Sequence, residues 1–174
     1  MKKRSSLKAV LYCLFLSLFA VANVSAETIA SAPQIVDGKY QISNLAELRW
    51  VSENSSSWSS DLVITADIDA ADTTTWNSGA GFSPIGDDPK FTGSFTNTGS
   101  FVISNLYINR PAQVNVGLFG YTTDANIDSI SLDDANITGD RDVGTLIGRS
   151  YSTIIKSCSV SGSVNSIGPY SGGL

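Results

Sequence analysis

The sequence predicts an all-β protein, more closely a right-handed parallel β-helix, and three observations support this. The motif V-G-L-F-G at Val116–Gly120 returns as V-G-T-L-I-G at Val143–Gly148 and begins again as G-G-L at Gly172–Leu174. Leu118, Leu146 and Leu174 in these motifs are evenly spaced, and a fixed period of about 20–50 residues is typical of repeat architectures. The apolar runs between the motifs are short and bounded by glycine and polar turns, which favours strands over helices.

Residues 1–26 have the pattern of an export signal. A basic start with Lys2, Lys3 and Arg4 precedes an apolar run over residues 9–21 and a small-residue cleavage site that ends at Ala26. The apolar run is shorter than the roughly 20 residues that a membrane-spanning helix needs. We expect residues 1–26 to be removed, which predicts a secreted or cell-surface protein without a membrane span. A retained N-terminal anchor is the alternative.

The composition of the remaining chain excludes several functions. Its basic residues number seven and its acidic residues 16, a net charge of −9, which disfavours nucleic acid and anionic lipid as partners. Histidine is absent, and with it the commonest general base and metal ligand. Cys158 is the only thiol after residue 26. We expect it in the core, because free cysteine is among the most buried residue types; a reactive thiol is the alternative.

Residues 27–60 predict a linker, a hairpin and a capping helix. Asp37-Gly38 between two apolar runs is typical of a two-residue β-turn. Ser43 is the expected N-cap of a helix from Asn44 to Asn54, whose apolar residues lie at helical spacing. A single short helix before many strands is expected to cover the end of a β core; a partner-binding helix is the alternative.

Residues 61–174 predict the β-helix itself. Alternating apolar residues predict one strand over 62–68, and later segments predict strands at 91–95 and 101–108, separated by loops. The apolar spacing of +3 and +2 at Ile103, Leu106 and Ile108 recurs from Ile127 and again from Ile155, which predicts that Ile103, Ile127 and Ile155 lie in register. The repeats therefore start at about residue 101. We expect corner glycines with positive φ at four positions: Gly120, Gly139, Gly148 and Gly162.

These motifs resemble the GLUG repeats of bacterial secreted and surface proteins. The resemblance extends to Tyr40–Leu48, to Ser83–Gly86 and to Phe91–Phe95, and so covers nearly all of the chain after residue 37. It implies an extracellular scaffold or binding role in an adhesin-like exoprotein. It also implies that the sequence is a fragment, because the third repeat breaks off at Leu174.

The acidic residues give little indication of a catalytic or metal site. Polysaccharide-active β-helices need carboxylates from neighbouring turns to converge on Ca²⁺ or on a glycosidic bond. The register of the repeats instead places Asp128 beside Lys156, and Asp133 beside Ser161. The other acidic clusters lie in predicted loops: Asp67, Asp69 and Asp72; Asp87 and Asp88; Asp140 and Asp142. We expect no catalytic, cofactor-binding or metal-binding residues; a weak Ca²⁺ site at Asp67 or Asp69 is the alternative.

The sequence therefore predicts a non-catalytic module that serves as stalk or binding surface of an adhesin-like protein. Surface carbohydrate or extracellular protein is the expected partner, with four tyrosines as candidate stacking platforms: Tyr107, Tyr121, Tyr151 and Tyr170. The alternatives are a polysaccharide-active β-helix enzyme or its accessory domain, and the non-catalytic repeat region of a secreted peptidase. Self-association is expected through the C-terminal edge, where the interrupted repeat leaves a strand without a neighbour.

Overall fold

The computed structural model describes residues 27–172, which hold fifteen short strands and one α-helix. The predicted signal peptide lies outside the described residues, as does Leu174. In chain order the elements are β1 (Gln34–Val36), β2 (Lys39–Ile42), α1 (Leu45–Glu53), β3 (Asp61–Ile64), β4 (Ile68–Asp69), β5 (Ser94–Asn97), β6 (Val102–Ser104), β7 (Tyr107–Asn109), β8 (Phe119–Thr123), β9 (Asn126–Asp128), β10 (Ser131–Gly139), β11 (Val143–Gly144), β12 (Ile147–Tyr151), β13 (Ile154–Lys156), β14 (Ser159–Ser166) and β15 (Ser171–Gly172). The predicted all-β class is confirmed.

The strands form four sheets. The first has the order β1-β2-β3-β5-β9-β13, and the second has the order β14-β10-β6-β4 with β7 also paired to β10. β12 pairs with β8 and β15 pairs with β11 in two smaller sheets. The β1–β2 hairpin is antiparallel and the other strand pairs are parallel, so the first sheet is mixed.

The core is built from side chains stacked in register. Leu62 pairs with Phe95, and Phe95 pairs with Ile127 on the next strand; all three are fully buried. Phe119 from the third sheet packs edge to face against Phe95, with ring centroids 5.2 Å apart. Most parallel pairs thus place one apolar residue against its counterpart, and the buried side chains form one continuous cluster.

The hairpin and helix begin and end close to the predicted positions. Asp37 and Gly38 have φ of 51° and 77°, the positive values that a two-residue turn of this kind requires. The N-cap is Asn44, one residue later than predicted, and its side chain accepts a hydrogen bond from the Glu47 N–H at 3.0 Å. Leu48 and Val51 of the helix are buried in the same cluster as the strand residues, so the apolar face of α1 covers the β1–β2 end of the core.

Two predicted strands are each divided by a corner. The apolar run over 62–68 forms β3 and β4, which belong to different sheets. The run over 101–108 forms β6 and β7, with Asn105 between them at a φ of 58°. β3 and β4 lie in different sheets, whereas β6 and β7 both pair with β10. In both cases the apolar side chains before and after the corner face the same core, so the pattern alone did not reveal the break.

The predicted register of the first repeat was also wrong. Ile103 pairs with Leu132 instead of Ile127, and Ile108 pairs with Ile137. The register of the second repeat is confirmed, since Ile127 pairs with Ile155. The +3 and +2 apolar spacing recurs at more than one corner of the chain. The prediction aligned the segment from Ile103 with the wrong occurrence of this spacing.

The corners are mostly held by polar residues and not by the glycines that were predicted. Of the four predicted glycines only Gly162 has a positive φ. The positive-φ positions instead recur with the chain repeat, in columns of Ser100, Ser129 and Ser157; Asn105, Asp134 and Gly162; Asn115, Asp142 and Tyr170; Asp124 and Ser152. Asn and Asp tolerate this conformation better than other non-glycine residues because their short side chains bond to nearby backbone.

The other predicted glycines lie where backbones come close together. A Cβ at Gly148 would stand 2.5 Å from the Val116 nitrogen, and one at Gly120 would stand 2.5 Å from the Gly86 oxygen. The last glycine of each motif, Gly120 or Gly148, is therefore required by close packing between neighbouring segments rather than by turn geometry.

Candidate binding groove

The acidic residues between 67 and 72 accept hydrogen bonds from neighbouring segments of the folded chain. The Asp67 carboxylate accepts a hydrogen bond from the Val102 N–H at 2.9 Å, and Asp72 accepts one from the Thr28 hydroxyl at 3.1 Å. Asp69 accepts from the Asn105 amide at 2.9 Å and from the Ala71 N–H at 3.0 Å. These two bonds hold the pKa of the Asp69 carboxyl below its ordinary value.

The remaining acidic clusters are equally dispersed. Asp87 accepts a hydrogen bond from the Asn115 amide at 3.3 Å, and Asp142 lies 4.0 Å from the neighbouring Arg141 guanidinium. Over residues 27–172, no three carboxylate or thiol side chains come together in an arrangement suited to a metal ion. The alternative of a weak Ca²⁺ site at Asp67 or Asp69 would therefore depend on backbone oxygens.

Cys158 lies at the edge of the core, one turn of chain after Ile130. Its sulfur lies 3.1 Å from the Lys156 carbonyl oxygen, and its side chain packs against the buried cluster while remaining partly exposed. Burial raises the pKa of the thiol, which lowers the thiolate fraction and hence the reactivity. This environment favours the packing role that the sequence predicted.

The four candidate tyrosines do not form one platform. Tyr107 is half-buried on β7, whereas Tyr121 and Tyr151 lie on the paired strands β8 and β12. Tyr170 occupies a positive-φ corner and is 75% exposed. Tyr121 differs from the other three in having two cations close to its ring, and it adjoins the groove described next.

A groove of about 410 Å³ opens between the segment that follows α1 and the loop that precedes β5. Four hydroxyl side chains line it, together with one carboxylate and one ammonium: Ser55, Ser59, Thr92, Thr123, Asp88 and Lys90. The indole of Trp58 also lines it, and its Nε1–H donates to the Val51 carbonyl at 2.7 Å. No sequence pattern pointed to this groove, because its residues come from three separate segments that become neighbours only in the folded chain.

Backbone hydrogen bonds hold the two walls of the groove together. The Trp58 carbonyl accepts from the N–H groups of both Thr92 and Gly93 at 2.9 Å. The Ser60 carbonyl accepts from the Ser94 N–H at 3.1 Å. The groove is therefore preformed, which reduces the ordering cost of binding.

A column of two cations and one aromatic ring runs beside the groove. The Lys90 ammonium lies 5.0 Å from the centroid of the Tyr121 ring, and the Arg149 guanidinium carbon lies 5.2 Å from it. Arg149 pairs with Tyr121 on the neighbouring strand, while Lys90 immediately precedes Phe91, whose N–H donates to the Tyr121 carbonyl. Both distances are within the range of cation–π attraction.

In the part of the chain that the structure describes, no helix is long and apolar enough to cross a membrane. No protein-family model matches the chain, and no solved structure matches it significantly. Halomucin of Haloquadratum walsbyi is 39% identical to the chain over 125 residues, which is 68% of this chain. The chain spans 1% of the length of Halomucin, so it is similar to a small part of a far longer protein.

Proposed function

We propose that the chain is a non-catalytic parallel β-helical module of a secreted or cell-surface protein, serving as stalk or binding surface. One observation carries this proposal: three separate faces repeat with the same offset. Position 127 pairs with 155, position 131 with 159, and position 119 with 147, each in parallel and each at an equal separation along the chain. Strands on several faces can share one offset when each turn of chain stacks on the previous turn, as in a solenoid.

The similarity to Halomucin supports an extracellular role. The name of that protein refers to mucin, and the chain matches only 1% of it. A segment of this size within a very long protein suits a structural module better than a self-contained enzyme. The resemblance to GLUG repeats implies the same setting.

The placement of acidic residues favours a scaffold over the alternative of a polysaccharide-active enzyme. Asp128 pairs with Lys156, and Asp133 accepts a hydrogen bond from Ser161 on the neighbouring strand. The carboxylates therefore meet hydroxyls and a cation on the next turn, whereas a glycosidase needs two carboxyl groups within about 5–10 Å across a sugar.

Deletion of one period tests the stacking. Removing residues 126–153 takes out one full period and joins Ala125 to Ile154. These two residues are neighbours in the intact chain, where the Ile154 N–H donates a hydrogen bond to the Ala125 carbonyl at 2.9 Å. We expect the shortened chain to keep its β-sheet circular dichroism and to unfold cooperatively in urea. The matched control removes only residues 126–149, which is less than a period, and we expect it not to fold. Loss of the fold in both deletions would contradict the proposal.

Location and activity need separate measurements. Expressed with its predicted signal, residues 1–26, in a secreting host, the full chain is expected outside the cell, with a mass that places the new N-terminus after Ala26. Hydrolysis or elimination on a panel of polysaccharides, measured by reducing ends and by absorbance of unsaturated products, would overturn the non-catalytic assignment.

We further propose that the β13–β15 edge pairs with a second copy of the chain. Ile154 is 52% exposed and Tyr170 is 75% exposed, and exposed apolar strand edges promote association. The Ile154→Lys variant is expected to sediment as a smaller species than the wild type at equal concentration. The control Ile29→Lys alters an equally apolar residue that is 86% exposed at the other end of the chain. A wild type that stays monomeric at high concentration would exclude this interface.

A further inference from the structure

We propose that the hydroxyl-lined groove and the adjoining Lys90–Tyr121–Arg149 column together bind an acidic saccharide. This inference rests on the proposed role as a binding surface and names the ligand class. In the proposed complex, the groove holds sugar hydroxyls, and the column holds the negatively charged group, a uronate carboxylate or a sulfate ester.

The groove has the chemistry that a sugar ring requires. Its serine and threonine hydroxyls can both donate and accept hydrogen bonds, and Asp88 adds an acceptor for sugar hydroxyls. Trp58 adds a small apolar surface, since it is 8% exposed, and its orientation is fixed because its indole N–H is bonded to the Val51 carbonyl. Ligand sites commonly combine such an apolar surface with a few placed polar groups.

The two cations of the column differ from Arg49 and Arg110, whose guanidinium groups are engaged by other protein groups. Arg49 forms ion pairs with Glu27 and Glu53 at 2.8 and 2.7 Å, and Arg110 donates to the Phe82 carbonyl at 3.0 Å. Within residues 27–172, Lys90 and Arg149 form no ion pair within 4.0 Å, and both are exposed. Their charges are therefore available to a ligand.

Tyr121 brings both cations close to one ring beside the groove. Lys90 and Arg149 come from segments on either side of β8, and each cation lies about 5 Å from the one ring between them. Cation–π attraction restricts two otherwise flexible side chains, which lowers the entropy that binding an anion would cost. Since the chain after residue 26 carries a net charge of −9, an acidic polymer is repelled elsewhere and binding is confined to this face.

Binding of the full chain to defined polymers tests the proposal. Polygalacturonate supplies carboxylates, dextran sulfate supplies sulfate esters, and unmodified dextran is the neutral comparison. We expect binding to one or both acidic polymers, weakening as salt is added, and much weaker binding to dextran. The polymer that binds more tightly identifies the anionic group.

Variants separate this site from general charge effects. The double variant Lys90→Gln/Arg149→Gln is expected to bind the acidic polymer at least about tenfold more weakly. The control Lys39→Gln/Lys156→Gln makes the same change in net charge at two other exposed positions and is expected to change the affinity by less than about twofold. Thr123→Val, which removes a groove hydroxyl, should weaken binding to the acidic polymer about threefold or more, and Lys90→Arg should retain it.

The outcomes decide between specific binding and its absence. Equal weakening in both double variants would show nonspecific attraction and overturn the site, as would a wild type that binds neither acidic polymer. Circular dichroism shows whether each variant keeps its fold. If the double variant at Lys90 and Arg149 does not fold, the test relies on the loss of binding expected for Thr123→Val and the retained binding expected for Lys90→Arg. Failure of polymer binding together with a folded one-period deletion would reject the saccharide site and leave the stacked-module proposal intact.

Discussion

Ile155 lies in register with Ile127 on the neighbouring strand, but the two side chains have very different surroundings. Ile127 is fully buried between Phe95 and Ile155, whereas Ile155 is 40% exposed. Val160 and Val164 on β14 are likewise only partly buried against the core. Burial in this column of side chains therefore falls from complete at Ile127 to partial at Ile155 on the neighbouring strand.

This difference predicts unequal costs for the same substitution. Ile127→Ala should lower the free energy of unfolding by about 2–5 kcal/mol, because it removes buried methyl groups and leaves a cavity. Ile155→Ala should cost about 1 kcal/mol, because the residue is partly solvated in the folded chain. Urea titration of both variants measures the two values. The titration is made at a concentration at which the chain sediments as a monomer, so that the β13–β15 edge is not covered by a second copy. Equal losses there would mean that Ile155 is buried within the single chain.

The sequence predicted the fold class because the buried positions repeat. Leu118 and Leu146 occupy equivalent places in the two motifs and are both fully buried, so the repeated motif marks repeated core positions. Individual strands were harder to predict: β3 and β4 formed one apolar run, as did β6 and β7. A pattern of apolar residues records which side chains face the core, but it does not record where the backbone turns a corner between two strands.

The columns of positive-φ residues make a second prediction. Ser129 has a φ of 62° and stands between β9 and β10. Ser129→Val should lower stability by about 1–2 kcal/mol, because a β-branched side chain is poorly accommodated in the left-handed region. The matched control is Ser163→Val on the exposed side of β14, where a branched residue suits an extended strand. If both variants melt at the same temperature, the corner conformation carries no such strain.

The groove could not have been predicted in the same way. Ser59, Lys90 and Thr123 are far apart in the sequence and belong to no repeated motif. They come together because β3, β5 and β9 stack in the first sheet and the loop over 87–90 projects beside β8. Tyr121 was identified from its aromatic ring alone. The spacing of Leu118 and Leu146 also places Arg149 beside Tyr121, whereas the contact with Lys90 depends on a loop that precedes the repeats.

The close approach at Gly148, the last residue of the second motif, gives a third prediction. Gly148→Ala would place a methyl group 2.5 Å from the Val116 nitrogen and 2.6 Å from the Asp142 oxygen. Backbone cannot move aside as a flexible side chain can, so we expect a loss of at least about 2 kcal/mol. Gly168→Ala is the control, since its nearest neighbours lie at 3.1–3.2 Å, and it should cost less than about 1 kcal/mol. If Gly148→Ala left the free energy of unfolding unchanged, the two segments would have to lie further apart than described.

The hydrogen bonds at Asp69 predict a dependence of stability on pH. Bonds from Asn105 and Ala71 lower the pKa of this carboxyl from an ordinary value of 3.8, so the folded state binds its proton less readily than the unfolded state. The stabilisation is fully present above pH 3.8 and is lost as the pH falls through the folded-state pKa. Asp69→Asn should therefore be less stable than the wild type at pH 7, and the difference should shrink at pH 2.

Urea midpoints at the two pH values measure this difference directly. Asp61→Asn removes the same charge from an exposed strand position in the first sheet, and subtracting its effect corrects for the change in net charge. Because Asp69 is itself exposed, solvent screening keeps the contribution small, and the sign of the change is the decisive result. The prediction would be contradicted if the stability advantage of the wild type over Asp69→Asn grew as the pH fell. That result would show that the Asp69 carboxylate destabilises the β4–β6 pair, contrary to its hydrogen bonds.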